Sequence, residues 1–425
     1  MTTLHVDPAP AGLRARLRVP GDKSISHRAL LLAALASGTS QIEGLSTGDD
    51  VARTAAALSS MGATITPTPK TTTVLGGSLR EPPTTLYIGN SGTSIRLLAG
   101  LCAGLPGLYV LAGDESIASR PMGRVAAPLR LMGAHIDGRQ DGELAPLVVR
   151  GGNLRGIDYT LPMASAQVKA AVLLAGLSAE GATTVHESLP TRMHTEEMLA
   201  STGAEVSIGS GWVTVKPSRP SPFALTVPGD PSKAAIRVVA ACLVPGSEVR
   251  VDDVYLGPSR NGFLDVLARM GADVEVHPTG ERRGDILARH SALRATEVES
   301  AEVPGLIDEI PVLAVAAAYA EGTSTFRGVG ELRHKESDRL TSVASELSAI
   351  GGQVETTTDS LVIHGSAARP LRGGHVDSHG DHRVAMSMAV AGLAAAGPVS
   401  VEGWEAVATS YPTFEEDLRK CLSRP

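Results

Sequence analysis

Along this chain, near-continuous apolar stretches alternate with shorter runs in which apolar and polar residues take turns, and the pattern recurs six times. The apolar stretches are Ala29–Ala36, Leu97–Leu105, Val172–Leu177, Val238–Val244, Val312–Ala320 and Val384–Ala396. A helix that is apolar on nearly every face is buried on nearly every face. None of the stretches reaches the roughly 18 uninterrupted apolar residues that a membrane span needs. A glycine follows each one, at Gly38, Gly107, Gly181, Gly246, Gly322 and Gly397, marking a period of roughly 65 to 76 residues.

A second marker keeps the same beat. A more amphipathic stretch closes on a glycine and a small residue at Met61-Gly62-Ala63, Met132-Gly133-Ala134, Thr202-Gly203-Ala204, Met270-Gly271-Ala272 and Ile350-Gly351-Gly352. These stretches, such as Asp265–Met270 and Asp338–Ile350, mix charged and apolar positions and predict half-exposed helices. After the turn come two partly alternating runs, as in Glu205–Ile208 and Trp212–Lys216 around Gly-Ser-Gly, which predict a hairpin. Each unit therefore reads βαβαββ.

The sixth unit stops short, with no closing strands after the helical stretch Thr413–Leu422. The segment Gly12–Val19 alternates, precedes the first unit and belongs to none, so it is expected to complete the last one. That places both termini in one discontinuous domain, residues 1–19 with 229–425, holding units four to six. Units one to three form the other, residues 20–228, and the chain crosses near Arg18–Pro20 and again near Val227–Pro231. Two domains suit a chain of 425 residues. A single open solenoid is the competing picture, but it calls for polar capping repeats and neither end shows one.

Charge and composition narrow the function. The net charge of −7 is spread without long like-charged runs, which excludes a general nucleic-acid-binding surface. Cys102 and Cys242 fall inside apolar helices and read as small core residues of a reducing compartment, not as a disulfide framework or metal site. The start, MTTLHVDPAP, lacks the charged and apolar regions of a secretory signal, so a cytoplasmic location is expected.

The polar openings of the apolar helices carry the candidate chemistry. They are Pro20-Gly-Asp-Lys-Ser-Ile-Ser-His-Arg28, Gly89-Asn-Ser-Gly-Thr-Ser-Ile-Arg96, Pro162-Met-Ala-Ser-Ala-Gln-Val-Lys169, Pro228-Gly-Asp-Pro-Ser-Lys233, Pro304-Gly-Leu-Ile-Asp-Glu309 and His379-Gly-Asp-His-Arg383. Ser, Thr, Asp and Asn at such places are also ordinary N-caps. Lys23, Arg28 and Arg96 are harder to place that way, because a cation at a helix start opposes the dipole unless an anion balances it. Openings of one domain should share a face, and two such faces meeting across the double crossing would enclose a cleft for a ligand with several negative charges. Lys335-Glu-Ser-Asp-Arg339 fits either that site or a solvated helix face.

The segments PGDKSISHRALLLAALASG, GNSGTSIRLL, SRPMGR, PMASAQVKAAVLLAGL, HKESDRL, GDHRVAMS and ATSYPTF, in this order over nearly the whole chain, closely resemble the 5-enolpyruvylshikimate-3-phosphate synthase family. The resemblance implies an inverse α/β, barrel-like fold of two domains, each of three βαβαββ repeats with buried helices. It also implies transfer of the enolpyruvyl group of phosphoenolpyruvate to the 5-hydroxyl of shikimate 3-phosphate, with release of phosphate, in aromatic amino-acid synthesis. By the same resemblance Lys23, Ser24, Arg28, Ser165, Ala166, Gln167, Arg192, Asp308 and Lys335 address shikimate 3-phosphate. Lys23, Gly92, Arg120, Gln167, Arg339 and Arg383 address phosphoenolpyruvate, where guanidinium forks suit a carboxylate and a phosphate. Asp308 matches the proton acceptor from the hydroxyl, Glu336 the carboxylate near the methylene carbon, and Lys23 stands with them among the catalytic residues. No cofactor or metal is implied, and a monomer with small anionic substrates and neither nucleic acid nor membrane as partner is expected.

The chemistry agrees with these roles, since adding an alcohol to an enol phosphate needs a base, an acid and cations around the developing charge. Three departures stand out: Thr409 where many members have a lysine, His194 where many have a tyrosine, and Glu331 where many have an asparagine. The branch with Thr-Ser at 409 and 410 often has alanine at Gly92, associated with tolerance of glyphosate, an inhibitor of the phosphoenolpyruvate site. Two alternatives differ in class. UDP-N-acetylglucosamine enolpyruvyl transferase resembles the chain in fold, but carries Lys-Asn in place of Lys23-Ser24 and a loop cysteine that Gly113–Met122 lacks. A non-enzymatic repeat binding module would show similar chemistry at every opening, whereas these openings differ. The fourth, Pro228–Lys233, carries no assigned contact and is expected to be a hinge.

Overall fold

The computed structural model describes residues 2–422. Five of the six polar openings run on into the first turn of their apolar helices, while the fifth, Pro304–Glu309, ends just before its helix. The helices run Lys23–Leu35, Gly92–Ala103, Ala166–Gly176, Pro231–Leu243, Ile310–Tyr319 and His382–Ala394, with most residues of each buried. A buried helix start leaves backbone N–H groups that water cannot reach, and each must find an acceptor. Asp22 accepts from the Ile25 N–H, Ser91 from Ser94, Ser165 from Val168, Asp230 from Ser232, and Asp381 from Arg383 and Val384. The period-marking glycines serve the other end. Gly38, Gly107 and Gly322 stand at φ of 136°, 131° and 100°, a region that side chains with a Cβ avoid, and each turns the chain into a strand.

Every complete repeat makes the same four-stranded sheet. In the second repeat Leu86–Tyr87 runs parallel to Gly107–Ala112, which pairs antiparallel with Leu144–Gly151, and His135–Gly138 forms the edge. The third and fifth repeats repeat this order. The strand just after the second helix therefore lies at the edge, and the last strand is internal. Alternation follows burial as period two requires: Ala145, Leu147 and Val149 of the internal strand are buried.

The first, fourth and sixth repeats borrow strands, and here the sequence expectation needs correcting. The segment Gly12–Val19 does not complete the sixth repeat. Its strand Arg14–Leu17 lies parallel to Glu248–Tyr255 and leads the fourth. Strand Thr3–Val6 instead completes the sixth, antiparallel to Val399–Glu402, giving a three-stranded sheet with Gly374–Asp377. The first repeat takes its leading strand from the end of the third, where Ala224–Thr226 runs parallel to Thr39–Glu43. The physical reason is one of supply. With Ala224–Thr226 committed to the first repeat, the fourth has no leading strand of its own, and Arg14–Leu17 fills that place.

The described residues form two compact units, one of Gly21–Val227 and one of the residues up to Pro20 with those from Pro228 onward. Each unit is closed by a borrowed strand. Cys102 and Cys242 are fully buried in their helices, and burial pushes the Cys242 thiol up to about 12. Among the described residues no helix is long and apolar enough to cross a membrane.

Close helix contact depends on small residues. A Cβ built on Gly100 would lie 2.2 Å from the Ala171 carbonyl oxygen and 2.6 Å from its Cα, both backbone atoms of the helix Ala166–Gly176. Backbone cannot swing aside as a side chain does, so the helices would have to part. Gly100→Ala is therefore expected to cost about 1–3 kcal/mol despite its better helix propensity. A thermal melt in which the variant matches or exceeds the parent would contradict this contact.

Candidate active site

In the unit Gly21–Val227 the helix starts bring cations and their partners together. Lys23 is the first residue of its helix, and its Nζ lies 2.9 Å from Asp50 Oδ2, with the lysine side chain only 14% exposed. Asp50 sits in the first turn of the next helix, Asp49–Ser60, where the dipole favours a carboxylate.

Around the second opening three groups converge. Arg120 donates from Nη2 to Asn90 Oδ1 at 2.6 Å and to Ser116 Oγ at 3.2 Å. Arg96 donates from Nη1 to Gln167 Oε1, while Gln167 Nε2 donates to Thr93 Oγ1 at 3.0 Å. Gly92 lies where these meet. A Cβ there would come 2.6 Å from Arg120 Nη1 and 3.1 Å from Arg96 Nη1, so the absence of a side chain leaves the two guanidinium groups their places. Ser165 caps the third helix, and Ala166 and Gln167 are its first two residues.

Arg28 is held from the third repeat. Its Nε donates to Thr195 Oγ1 at 2.6 Å, and its Nη1 to the Ser24 carbonyl at 3.0 Å. Thr195 belongs to the helix His194–Ser201, and Arg192 lies two residues before that helix. A buried ion cluster fixes it: Lys169 Nζ is 2.6 Å from Glu196 Oε1 and 3.0 Å from Glu187 Oε1, with Lys169 1% exposed. Glu187 also accepts from the Thr191 hydroxyl at 2.7 Å. His194 is buried at the start of this helix.

In the other unit Asp308, Lys335, Glu336, Arg339 and Arg383 form one cluster. Arg339, 1% exposed, donates from Nε to Asp381 Oδ2 at 2.9 Å, from Nη1 to Asp308 Oδ1 at 3.2 Å, and from Nη2 to Glu336 Oε2. Burial opposes its charge, yet Asp381, Glu336 and Asp308 together hold its pKa above the ordinary arginine value. Arg383 reaches Asp308 twice, through Nη1 to its carbonyl at 3.3 Å and through Nε to Oδ1 at 3.8 Å. Lys335 Nζ lies 3.9 Å from the same Oδ1. Its pKa is lowered, first by burial and further by Arg339, with Asp308 pulling the other way. The side chain nonetheless keeps 24% of its exposure, so an ammonium in close protein surroundings still reaches solvent.

The fourth opening turns inward. Arg260, 1% exposed, donates to Asp230 Oδ1 at 3.0 Å and to Ser232 Oγ at 3.2 Å, and its Nη1 is 3.7 Å from Glu309 Oε1. The Ser232 hydroxyl in turn donates to Glu309. Thr409 places its hydroxyl 3.4 Å from His382 Nδ1 and donates to the Ala406 carbonyl at 2.7 Å, so an uncharged side chain stands where a lysine would bring charge.

Several site groups escape a reading by residue type. Asp50 and Asp381 look like ordinary helix-start acids, and Lys169, Glu187 and Glu196 are spread over separate elements. The doubled acid at Asp49-Asp50 and the Gly-Asp that repeats in the first, fourth and sixth openings are the signals that point to them.

The model of the EPSP synthase (3-phosphoshikimate 1-carboxyvinyltransferase) family matches residues 8–418. A 3-phosphoshikimate 1-carboxyvinyltransferase of Shouchella clausii is 47% identical over 419 residues, covering 97% of both chains. One from Synechococcus sp. (strain JA-3-3Ab) is 49% identical, over 99% of this chain and 97% of its own. Among solved structures, EPSP synthase from Acinetobacter baumannii has a TM-score of 0.87 and 39% identity, covering 99% of this chain and 98% of its own. The enolpyruvyl transferase NikO from Streptomyces tendae shares the fold, with a TM-score of 0.81 at 21% identity over 99% of this chain and 97% of its own. By the extent of these matches, and in keeping with its six repeats, the chain belongs to the EPSP synthase family.

Proposed function

We propose that this protein transfers the enolpyruvyl group of phosphoenolpyruvate to the 5-hydroxyl of shikimate 3-phosphate, and that the residues above do the work. The observation that carries the reading is Arg339. One buried guanidinium holds Asp308 and Glu336, two carboxylates of different elements, and Lys335 and Arg383 both reach Asp308. A base and an acid fixed around shared cations are what an addition to an enol phosphate requires.

In this reading Asp308 takes the proton of the 5-hydroxyl as its oxygen bonds to C2 of phosphoenolpyruvate. Glu336 delivers a proton to the methylene carbon, C3. The tetrahedral adduct then collapses: Glu336 takes a proton back from the new methyl group, the C2–C3 double bond re-forms, and the C2–O bond to phosphate breaks, the departing phosphate taking up the proton held by Asp308. Arg383 and Arg339, with Arg120, Gly92, Gln167 and Lys23, serve the carboxylate and phosphate of phosphoenolpyruvate. Ser24, Arg28, Ser165, Ala166, Arg192 and Lys335, with Lys23 and Gln167, serve shikimate 3-phosphate. Holding two anionic reactants in register removes much of the entropic barrier between them. The reading includes a monomer, and small phosphorylated substrates suit a cytoplasmic enzyme.

An assay of phosphate release with the two substrates, with product mass as a second readout, tests the reading. Turnover only with a uridine-linked amino sugar as acceptor would replace it by the UDP-N-acetylglucosamine reaction. Asp308→Asn and Glu336→Gln are each expected to bind both substrates while losing about a hundredfold or more in kcat. Near-parental turnover in either would remove that residue from the proton transfers.

Lys335 supplies a pH test. Because burial and Arg339 lower its pKa while Asp308 raises it, removing the Asp308 charge should lower it further. Reductive methylation with labelled formaldehyde, followed by carbon NMR across pH, should show Lys335 titrating below the surface lysines, and lower still in Asp308→Asn. An unmoved or rising value in the variant would contradict the direct Asp308 contact.

A further inference from the structure

A line of buried polar groups joins the first opening to the second without including any residue assigned to substrate. His27 Nδ1 lies 2.8 Å from Thr54 Oγ1, Thr54 Oγ1 is 2.7 Å from Ser94 Oγ, and Ser94 Oγ is 2.6 Å from Ser91 Oγ. His27 and Thr54 are fully buried, as is Ser91, and Ser94 is 1% exposed. Hydroxyls in such surroundings cost free energy unless bonded, and valine or alanine would fill the same space without that demand.

The direction of the line follows from its end. Ser91 is the N-cap, and its oxygen accepts the Ser94 N–H at 3.1 Å. With the Ser94 hydroxyl also donating to Ser91, the Thr54 hydroxyl donates to Ser94, and His27 donates from Nδ1–H to Thr54. A neutral imidazole can play this part, and burial, then Lys23 and Arg28, hold the His27 pKa well below the usual value. The line runs between site groups. His27 is one turn along from Lys23, Thr54 one turn along from its partner Asp50, and Gly92 and Thr93 lie between Ser91 and Ser94. The Ser94 hydroxyl is also 3.4 Å from the Asp50 carbonyl.

We propose that His27 is a positioning residue: through Thr54 and Ser94 it fixes the Gly92–Thr93 turn relative to Lys23, and so sets affinity for phosphoenolpyruvate. The role rests on the enolpyruvyl-transfer reading. A pair that merely packed the core would affect stability and both substrates alike.

Thr54→Val keeps the shape and removes the relay. It is expected to raise KM for phosphoenolpyruvate about five- to tenfold, with kcat and KM for shikimate 3-phosphate within about twofold, and Thr54→Ser should restore the parent values. His27→Asn, which keeps a donor near the Nδ1 position, should rescue, whereas His27→Leu should behave like Thr54→Val. If His27→Leu does not fold, the Thr54 pair decides. An unchanged KM for phosphoenolpyruvate in Thr54→Val, or both KM values rising together with a lower melting temperature, overturns the proposal. A readout without substrates separates it from the functional reading. Nitrogen NMR of the parent should show the proton on His27 Nδ1, and the Gly92 and Thr93 amide signals should move in Thr54→Val. A parent that releases no phosphate sinks the enzymatic reading, while a proton on Nε2 or unmoved amides sink the relay.

Discussion

The start of a buried helix is the constraint on which this fold turns. Its first N–H groups point where water cannot follow, and its dipole places partial positive charge there. A fold that buries six such helices has to meet that demand six times. Side-chain caps at Asp22, Ser91, Ser165, Asp230 and Asp381 answer the hydrogen-bonding part. Lysine and arginine next to those caps act in the opposite sense, adding positive charge where the helix already has some. The surplus is balanced in part by Asp50 at Lys23 and by Asp308, Glu336 and Asp381 at Arg339.

Orienting these side chains is a second task, and hydrogen bonds share it with ion pairs. In Gly21–Val227 neutral groups help to aim the arginines: Arg120 donates to Asn90 and Ser116, Arg96 to Gln167 and Arg28 to Thr195. A neutral acceptor orients a guanidinium without adding negative charge beside it. In the other unit Arg339 is surrounded by three carboxylates, so its charge is used internally. In the proposed reaction it orients Asp308 and Glu336 while also serving phosphoenolpyruvate, beside Arg383 and Lys335.

Much of the fold is legible because burial on all sides leaves a plain record. A stretch such as Val384–Ala396 has few alternatives to a core helix, and the glycines that follow fix the period. Which strand completes which sheet is a different kind of information. Arg14–Leu17 and Ala224–Thr226 are short, and period-two alternation says that a segment is a strand without naming its partner. The partner was decided by which sheets lacked a leading strand, a property of the whole unit. The candidate site divides in the same way. Cations at helix starts are conspicuous because they oppose the dipole, but Asp50 and Asp381 are indistinguishable by type from a cap, and the cluster of Lys169, Glu187 and Glu196 assembles only when three elements meet.

The fourth opening shows how one scaffold position can change its use. It has the same Gly-Asp start as the first and also a lysine in its first turn, and Arg260 enters from the following loop to donate to Asp230 and Ser232. Asp230 and Ser232 then face Arg260, and Ser232 and Arg260 face Glu309, which stands beside Asp308. The opening is thus tied to the residue just before the fifth helix, and the boundary between the two units lies at its own start, between Val227 and Pro228. A buried helix start must satisfy its polar groups, and here it does so by anchoring Glu309, the residue between Asp308 and the fifth helix. Repetition supplies equivalent positions, and the charge each one meets decides whether it serves as site or as support.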